Sequence, residues 1–283
     1  MDKVKIAYIG KHFGEEPPLV GEACAGVPAG AGVRAGAGGI FFTGCNLRCV
    51  FCQNYQISHE GMGKDCSILE LAEEMLKLQA DGALNIDLVT PTIWHKQIKK
   101  AVILARADGL TIPIVWNSNG YEKVALLKEM EGIVDIYLPD FKYGIDEIGL
   151  KYSGVPGYVA VAESAIREML RQVGNLQIDE DGIARRGVLV RHLVLPGQTE
   201  NSKEVLRRLE SIDNQLFISL MNQYSPLYGA RDFPEINRTV TAEEFDEVFD
   251  ELSRLGFENG FVQDGESSEF LIPDFRKDEP FGF

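Results

Sequence analysis

The stretch "GIFFTGCNLRCVFCQNY" (residues 39–55) joins a short apolar run to a loop that carries three of the chain's five cysteines, Cys45, Cys49 and Cys52. Structural zinc sites use four ligands, and [4Fe–4S] clusters that only transfer electrons usually have four thiolates. Three thiolates therefore form either an incomplete site or a site that leaves one metal open. The rest of the sequence decides between these alternatives.

Short apolar runs alternate with amphipathic stretches of helical length from this point onward. The runs are rich in β-branched residues and lie at 39–44, 86–90, 112–117, 134–139, 187–196, 216–222 and 260–263. Helices are predicted between them, near 67–81, 94–108, 121–131, 158–174, 200–211 and 241–256. Ser67 and Glu70 form a capping box that opens the first helix. Apolar runs without strict alternation are typical of buried parallel strands, so the pattern predicts an α/β fold, as a full or partial barrel.

The chain divides into three predicted parts. Residues 1–38 form an N-terminal extension rich in Gly and Ala, residues 39–267 form the barrel, and residues 268–283 form a C-terminal tail. The segment 14–39 has neither a helical nor a strand period, and we expect an irregular arm there. Ordering such an arm costs conformational entropy, so we expect it to pack across one side of the pocket; the alternative is a disordered leader.

Polar residues or glycines follow each predicted strand. In parallel α/β folds these turns share the C-terminal edge of the sheet, where active sites lie. The sequence therefore predicts a functional site at this edge. Its turns are the cysteine loop, "TPTIWH" (90–95), "NSNGY" (117–121), "PDFKY" (139–143), "PGQTEN" (196–201), "NQYSP" (222–226) and "QDGES" (263–267).

Charge and cysteine usage exclude several classes of protein. Lys+Arg number 28 against 43 Asp+Glu, a net charge of −15, which argues against binding to nucleic acid or to an anionic membrane. No apolar run reaches the roughly 18 to 20 residues of a membrane span, and the first residues lack an apolar stretch of signal-peptide length. An odd number of cysteines, three of them clustered, favours a metal site in a reducing compartment over disulfides. We therefore expect a cytoplasmic protein.

The Cys-x₃-Cys-x₂-Cys spacing, with Phe51 before the last cysteine, resembles the signature of the radical S-adenosylmethionine (radical SAM) superfamily. Further stretches, "NGYE", "DIYLPDFKY" and "VRHLVLPGQTEN", resemble the pyruvate formate-lyase activating enzyme group and its uncharacterised archaeal and bacterial homologues. The resemblance implies a partial (β/α)₆-type barrel with an irregular N-terminal extension. It also implies one [4Fe–4S] cluster on Cys45, Cys49 and Cys52, with S-adenosylmethionine bound to the iron that has no protein ligand.

The resemblance assigns cofactor-binding residues as well. Asn117 and Ser118 match positions near the methionine carboxylate and a bound cation. Asp140 and Lys142 match an Asp-x-Lys pair of the activating enzymes, and Arg191 lies on the strand that flanks the nucleoside.

This chain departs from the family pattern at two of these positions. The glycine-rich turn that receives the methionine amino group is "TPT" (90–92) here, so Thr90 and Thr92 are expected to accept that hydrogen bond without a carboxylate. Asn117 stands where the family has Asp, which removes one charge from the cation site.

The implied function is that of a radical SAM oxidoreductase. Reductive cleavage of S-adenosylmethionine gives a 5′-deoxyadenosyl radical, which is expected to abstract hydrogen from a glycine of a partner protein, a glycyl radical enzyme. A flavodoxin or ferredoxin would donate the electron. The alternatives are radical SAM modification of a small molecule or peptide, and a non-catalytic iron–sulfur or zinc protein with His59 as the nearest fourth zinc ligand.

Other reactive residues have simpler interpretations. Cys24 and Cys66 are predicted to be free thiols, because neither belongs to the cysteine cluster. His192 lies inside an apolar strand and is expected to be a core histidine, whereas His95 at the predicted edge has either a structural or a functional role.

Overall fold

A sheet of ten strands organises the part of the chain that this computed structural model describes, residues 2–21, 35–263 and 272–281. Seven of its strands are parallel and follow the spatial order β10-β9-β8-β6-β5-β4-β2. They are β2 (Ala37–Phe42), β4 (Ile86–Val89), β5 (Ile114–Ser118), β6 (Ile136–Pro139), β8 (Ala184–Leu193), β9 (Phe217–Met221) and β10 (Gly260–Gln263). Among the described residues the two ends of the sheet do not pair with each other, so the barrel is partial.

Three further strands extend this parallel core. β1 (Lys3–His12) pairs antiparallel with β2, and β3 (Lys64–Ser67) pairs antiparallel with β1. The short β7 (Gln177–Ile178) pairs antiparallel with β8. The N-terminal residues are therefore part of the sheet.

Helices connect the strands. The bounds are α1 (Pro17–Val20), α2 (Tyr55–Ser58), α3 (Ile68–Ala80), α4 (His95–Ala107), α5 (Val124–Glu129), α6 (Asp146–Ser153), α7 (Tyr158–Val173), α8 (Thr199–Ile212) and α9 (Ala242–Arg254). Capping boxes open α3 at Ser67 and α9 at Thr241, where each side-chain oxygen accepts a backbone N–H of the first turn. Within the described residues no helix has the length and apolar character of a membrane span.

The predicted barrel elements are confirmed. Each predicted run from 39–44 to 260–263 overlaps a strand, and each predicted helix from 67–81 to 241–256 overlaps a helix. No element was predicted at β1 or α6. Of the arm expected at 14–39, the described residues form α1 and the start of β2, while 22–34, including Cys24, lie outside the described residues. So do the last predicted turn beyond Gln263 and the predicted barrel–tail boundary at 267–268.

The turn after β5 passes close to β6. Gly120 has φ +73°, and a Cβ there would lie 2.2 Å from the carbonyl oxygen of Asp140. Any other residue would collide with this backbone and strain its own. Glycine thus allows the two strand ends that carry Asn117 and Asp140 to lie side by side.

Candidate active site

A cavity of about 230 Å³ lies at the C-terminal ends of the parallel strands. Ten residues were assigned to the cluster and cofactor from the family resemblance, and nine of them line this cavity: Cys45, Cys49, Cys52, Thr90, Asn117, Ser118, Asp140, Lys142 and Arg191. The loops after β2, β4 and β6, the end of β5 and the strand β8 bring them together. Thr92 is the exception.

Two of the three thiols of the cysteine loop, those of Cys45 and Cys49, accept hydrogen bonds. Cys45 Sγ accepts from Asn119 Nδ2 at 3.3 Å and from the backbone N–H of Leu47 at 3.4 Å. The Ser153 hydroxyl lies 2.9 Å from Cys49 Sγ and donates to it. Such donors favour the thiolate form, and they are typical of sulfurs that ligate iron.

Burial opposes ionisation of two of these thiols. It raises the pKa of Cys49 to about 11 and the pKa of Cys52 to about 12. A positively charged metal centre is what reverses this preference, because ligating thiols must be deprotonated. Three sulfurs in one cavity with donors directed at them fit a cluster held by three thiolates. His59, the residue considered for zinc, packs instead against the ring of Tyr228 at a centroid distance of 4.8 Å.

A charged network forms the floor of the cavity. Asp140 lies between two cations: its Oδ1 accepts from Arg191 Nε at 3.1 Å, and its Oδ2 accepts from Lys142 Nζ. Burial alone would raise the pKa of Asp140, but Lys142 and Arg191 outweigh burial and lower it. Asp140 likewise raises the pKa of Lys142 against the effect of burial. All three groups are therefore charged near neutral pH.

The hydrogen bonds of Asn117 explain why this chain has an amide where the family has a carboxylate. Its Oδ1 accepts from Arg191 Nη2 at 2.6 Å, and its Nδ2 donates to Asp87 Oδ2 at 3.3 Å and to Glu15 Oε1 at 3.4 Å. Burial raises the pKa of both Glu15 and Asp87. An aspartate at 117 would place a third carboxylate against this pair, whereas the amide donates to both.

Glu15 and Asp87 were not identified from the sequence. Glu15 Oε2 accepts from Arg191 Nη1 at 2.9 Å, although Glu15 precedes α1 in the N-terminal segment. A Gly- and Ala-rich stretch without a period gives no signal that one of its carboxylates reaches the site. Asp87 lies within the apolar run of β4, and the sequence does not show that its carboxylate is buried beside Asn117.

Thr92 does not line the cavity. Its hydroxyl donates to Glu122 Oε1 at 2.9 Å, away from the place expected for a cofactor ligand. Ser118 lines the cavity, but its hydroxyl also donates to Glu122, at 2.7 Å from Oε2. Thr90 lines the cavity and has a left-handed backbone with φ 60°. Glu122 was not identified because the sequence motif "NGYE" does not show which groups its carboxylate meets.

Both ends of the described chain contribute to the cavity. His12 and Gly14 line it from the N-terminal segment, and Pro273 and Phe281 line it from residues 272–281. The ring of Phe281 lies 4.5 Å from that of His12 and 5.2 Å from that of Phe41.

The Gln56 side chain of α2 anchors the C-terminal segment. Its Nε2 donates to Asp274 Oδ1 at 3.1 Å, and its Oε1 accepts the backbone N–H of Phe275 at 2.7 Å. This segment is therefore docked on the helix that follows the cysteine loop.

The remaining candidates lie away from the cavity. His192 is fully buried, with Nδ1 2.7 Å from the carbonyl oxygen of Phe141. His95 lies outside the lining, with Nε2 3.7 Å from a carboxylate oxygen of Glu129. Cys66 is a half-buried free thiol in β3.

A model of the radical SAM superfamily matches residues 40–209, and the chain belongs to this superfamily. The cofactors of this superfamily are a [4Fe–4S] cluster and S-adenosylmethionine. The match begins in β2 and ends in α8, so it includes every residue assigned to the cluster and the cofactor.

Two sequence relatives resemble the chain. An uncharacterised protein of Methanocaldococcus jannaschii is 34% identical over 221 residues, which cover 75% of this chain and 60% of the relative. The pyruvate formate-lyase-activating enzyme of Clostridium pasteurianum is 24% identical over 192 residues, 66% of this chain and 72% of that enzyme.

Solved structures share the fold. Streptococcus suis SuiB bound to S-adenosylmethionine has a TM-score of 0.52 at 12% identity, over 81% of this chain and 48% of SuiB. SuiB bound to its precursor peptide SuiA has a TM-score of 0.54 at 14% identity, over 79% of this chain and 47% of SuiB.

Proposed function

We propose that this protein is an activase-like radical SAM enzyme that removes a hydrogen atom from a glycine of a partner protein. With cluster and cofactor bound, the site supplies one-electron cleavage of the sulfonium to methionine and a 5′-deoxyadenosyl radical, which takes the hydrogen atom and becomes 5′-deoxyadenosine. Cys45, Cys49 and Cys52 would hold the cluster. Asp140, Lys142 and Arg191 would orient the cofactor.

The division of the cavity into a charged part and an apolar part carries this proposal. Ion pairs among Asp140, Lys142 and Arg191 occupy one part. The apolar lining includes Phe41, Leu193, Met221 and Phe281. Apolar walls exclude water from a reactive radical. Glycine has no side chain and a weakened Cα–H bond, so a loop that presents glycine needs little space beside the bound cofactors.

The expected partners follow from this chemistry. The activating enzyme of Clostridium pasteurianum supports a glycyl radical enzyme as the protein substrate. A flavodoxin or ferredoxin would supply the electron, and the cytoplasm is the compartment in which the thiols stay reduced.

A second candidate is the modification of a different residue in a peptide. The fold likeness to SuiB in complex with its precursor peptide favours it. Both candidates share the cleavage step and differ in the atom that loses hydrogen.

Deuterium transfer separates the two candidates. Protein reconstituted anaerobically with iron and sulfide would be incubated with S-adenosylmethionine, a reductant and extract of cells grown on glycine deuterated at Cα. The proposal requires 5′-deoxyadenosine that carries deuterium, together with a glycyl radical signal in electron paramagnetic resonance. Extract-dependent 5′-deoxyadenosine without deuterium or a glycyl signal would exclude glycine and favour the second candidate. Cys49→Ala, treated identically, is the control for background cleavage.

A further inference from the structure

Thr90 has an unusual backbone in the wall of the cavity. Its φ is 60°, in the left-handed region that β-branched residues rarely adopt. Strained residues persist where the surrounding structure fixes them, and they cluster at functional sites. The contacts that hold Thr90 in this conformation therefore bear on the function of the site.

Glu122 ties the turn that contains Thr90 to the neighbouring strand. Its side chain is buried, and three donors converge on its carboxylate: the Thr92 hydroxyl at 2.9 Å, the Trp116 indole N–H at 2.8 Å and the Ser118 hydroxyl at 2.7 Å. An indole N–H can only donate, so this set requires an acceptor at the centre. Thr92 belongs to the turn after β4, whereas the other two donors belong to β5.

A backbone bond completes the connection. The N–H of Thr90 donates to the carbonyl oxygen of Asn117 at 2.9 Å. The turn is thus fastened to β5 on both sides of Pro91, by its backbone at Thr90 and through Glu122 at Thr92. Glu122 itself does not line the cavity. Any effect that it has on a ligand passes through Thr90 and Ser118, which do line it.

We propose that Glu122 is a positioning residue for S-adenosylmethionine binding, because it fixes the turn 90–92 so that Thr90 keeps its left-handed backbone in the cavity wall. The turn 90–92 contains no carboxylate of its own. The carboxylate that orders it is that of Glu122, in the loop after β5. This role concerns the cofactor, so it holds whichever substrate the enzyme takes.

Two substitutions separate the role from general stability. Glu122→Gln preserves size, but it replaces a charged acceptor with a neutral amide oxygen, which weakens the bonds from Thr92 and Trp116, and its amide N–H forces Ser118 to accept instead of donate. Thr90→Gly relieves the left-handed strain and removes the side chain from the wall. Glu168→Gln is the control. Glu168 is also buried and accepts from Arg171 and Gln172, but it lies in α7 away from the cavity.

The test measures dissociation constants for S-adenosylmethionine by anaerobic equilibrium dialysis of the reconstituted proteins. We expect Glu122→Gln and Thr90→Gly each to weaken binding about tenfold, and the double variant to be no weaker than Thr90→Gly alone. Thr90→Gly should keep or raise Tm. Glu168→Gln should lower Tm and bind like wild type. Wild-type affinity in folded Glu122→Gln, or multiplied effects in the double variant, would overturn the proposal.

A second readout needs no cofactor. In the protein without cluster, the backbone amides of Thr90 and of residues 92–94 should exchange with solvent several-fold faster in Glu122→Gln than in wild type. If Glu122→Gln does not fold, Thr92→Val removes one of the three donors and leaves the other two. We then expect about threefold weaker binding and faster exchange of the same amides. Wild-type affinity and exchange in Thr92→Val would contradict the proposal.

Discussion

The cavity has two walls of different origin. The barrel wall consists of strand ends and the loops after them, namely the cysteine loop, Thr90, residues 117–118, 140–142 and Arg191. The terminal wall consists of His12, Gly14 and Glu15 from the N-terminal segment and of Pro273 and Phe281 from the C-terminal segment. The barrel wall carries the thiols and a compensated set of charges, whereas the terminal wall carries the rings of His12 and Phe281 and one carboxylate, that of Glu15.

The two walls differ in whether the superfamily model reaches them. The match covers residues 40–209, which include every barrel-wall residue named above, but neither Met221 at the end of β9 nor the terminal wall. The Glu15–Arg191 pair, at 2.9 Å, joins the walls. We infer that the barrel wall holds the cofactors and that the terminal wall governs what reaches them.

Among changes in the barrel wall, loss of a cluster thiol should have the largest effect on cofactor binding and cleavage. Cys49→Ala, and equally Cys45→Ala or Cys52→Ala, should abolish cluster binding and 5′-deoxyadenosine formation, because two thiolates hold a cubane poorly. Iron content and product chromatography measure this. Cys66→Ala, a change in β3 away from the cavity, should leave both at wild-type levels. Full iron content in Cys49→Ala would contradict the assignment, as would zinc in the anaerobically purified wild type.

The ion pairs of the same wall should show the next largest effect. Asp140→Asn leaves Lys142 and Arg191 without the carboxylate that they share, and breaking a buried pair costs about 3–5 kcal/mol. We expect S-adenosylmethionine binding to weaken about a hundredfold, with a loss of stability that still leaves folded protein. The matched change is Glu235→Gln, which breaks the exposed pair with Lys151 and should cost under about 1 kcal/mol. Wild-type binding by Asp140→Asn would make the pair purely structural.

His192, which follows Arg191 in β8, makes the stability of the protein depend on pH. Burial lowers the pKa of His192 to about 4, below the 6.5 of an unfolded histidine. The unfolded chain therefore binds this proton first, so stability is complete above pH 6.5 and declines as the pH falls towards 4, by about 3 kcal/mol in total. His192→Asn still has a donor for the Phe141 carbonyl and should reduce that decline. Urea unfolding at pH 7 and 4.5 measures it; identical declines in both proteins would contradict the prediction.

Cutting the link between the walls should have the smallest effect. Glu15→Ala removes one partner of Arg191 and leaves its bonds to Asp140 and Asn117. We expect cleavage without substrate to change less than twofold, while amide exchange of residues 13–16 and 19–20 rises several-fold and substrate-coupled turnover falls. Glu73→Ala, on the exposed face of α3, should change neither. Loss of cleavage equal to that of turnover would place Glu15 in the cofactor site.

Strand and helix periods predicted the barrel because each parallel strand is buried on both faces and each long helix on one. β1 was missed for the opposite reason: most of its residues are only half-buried, and its alternation is irregular. α6 was missed because it has eight residues with Gly149 at its centre, too short and too interrupted for a helical period to stand out.

By itself the sequence determined the cysteine spacing, the order of strands and helices, and the edge at which the polar turns meet, because these depend on local periods and on neighbouring residues. Only the tertiary structure decided that Thr92 donates a hydrogen bond to Glu122, 30 residues away, and that Glu15 pairs with Arg191, 176 residues away. Such contacts have no local pattern. They exist because folding removes carboxylates and their donors from water together, and a buried charge must then be satisfied by whichever partner the fold brings beside it.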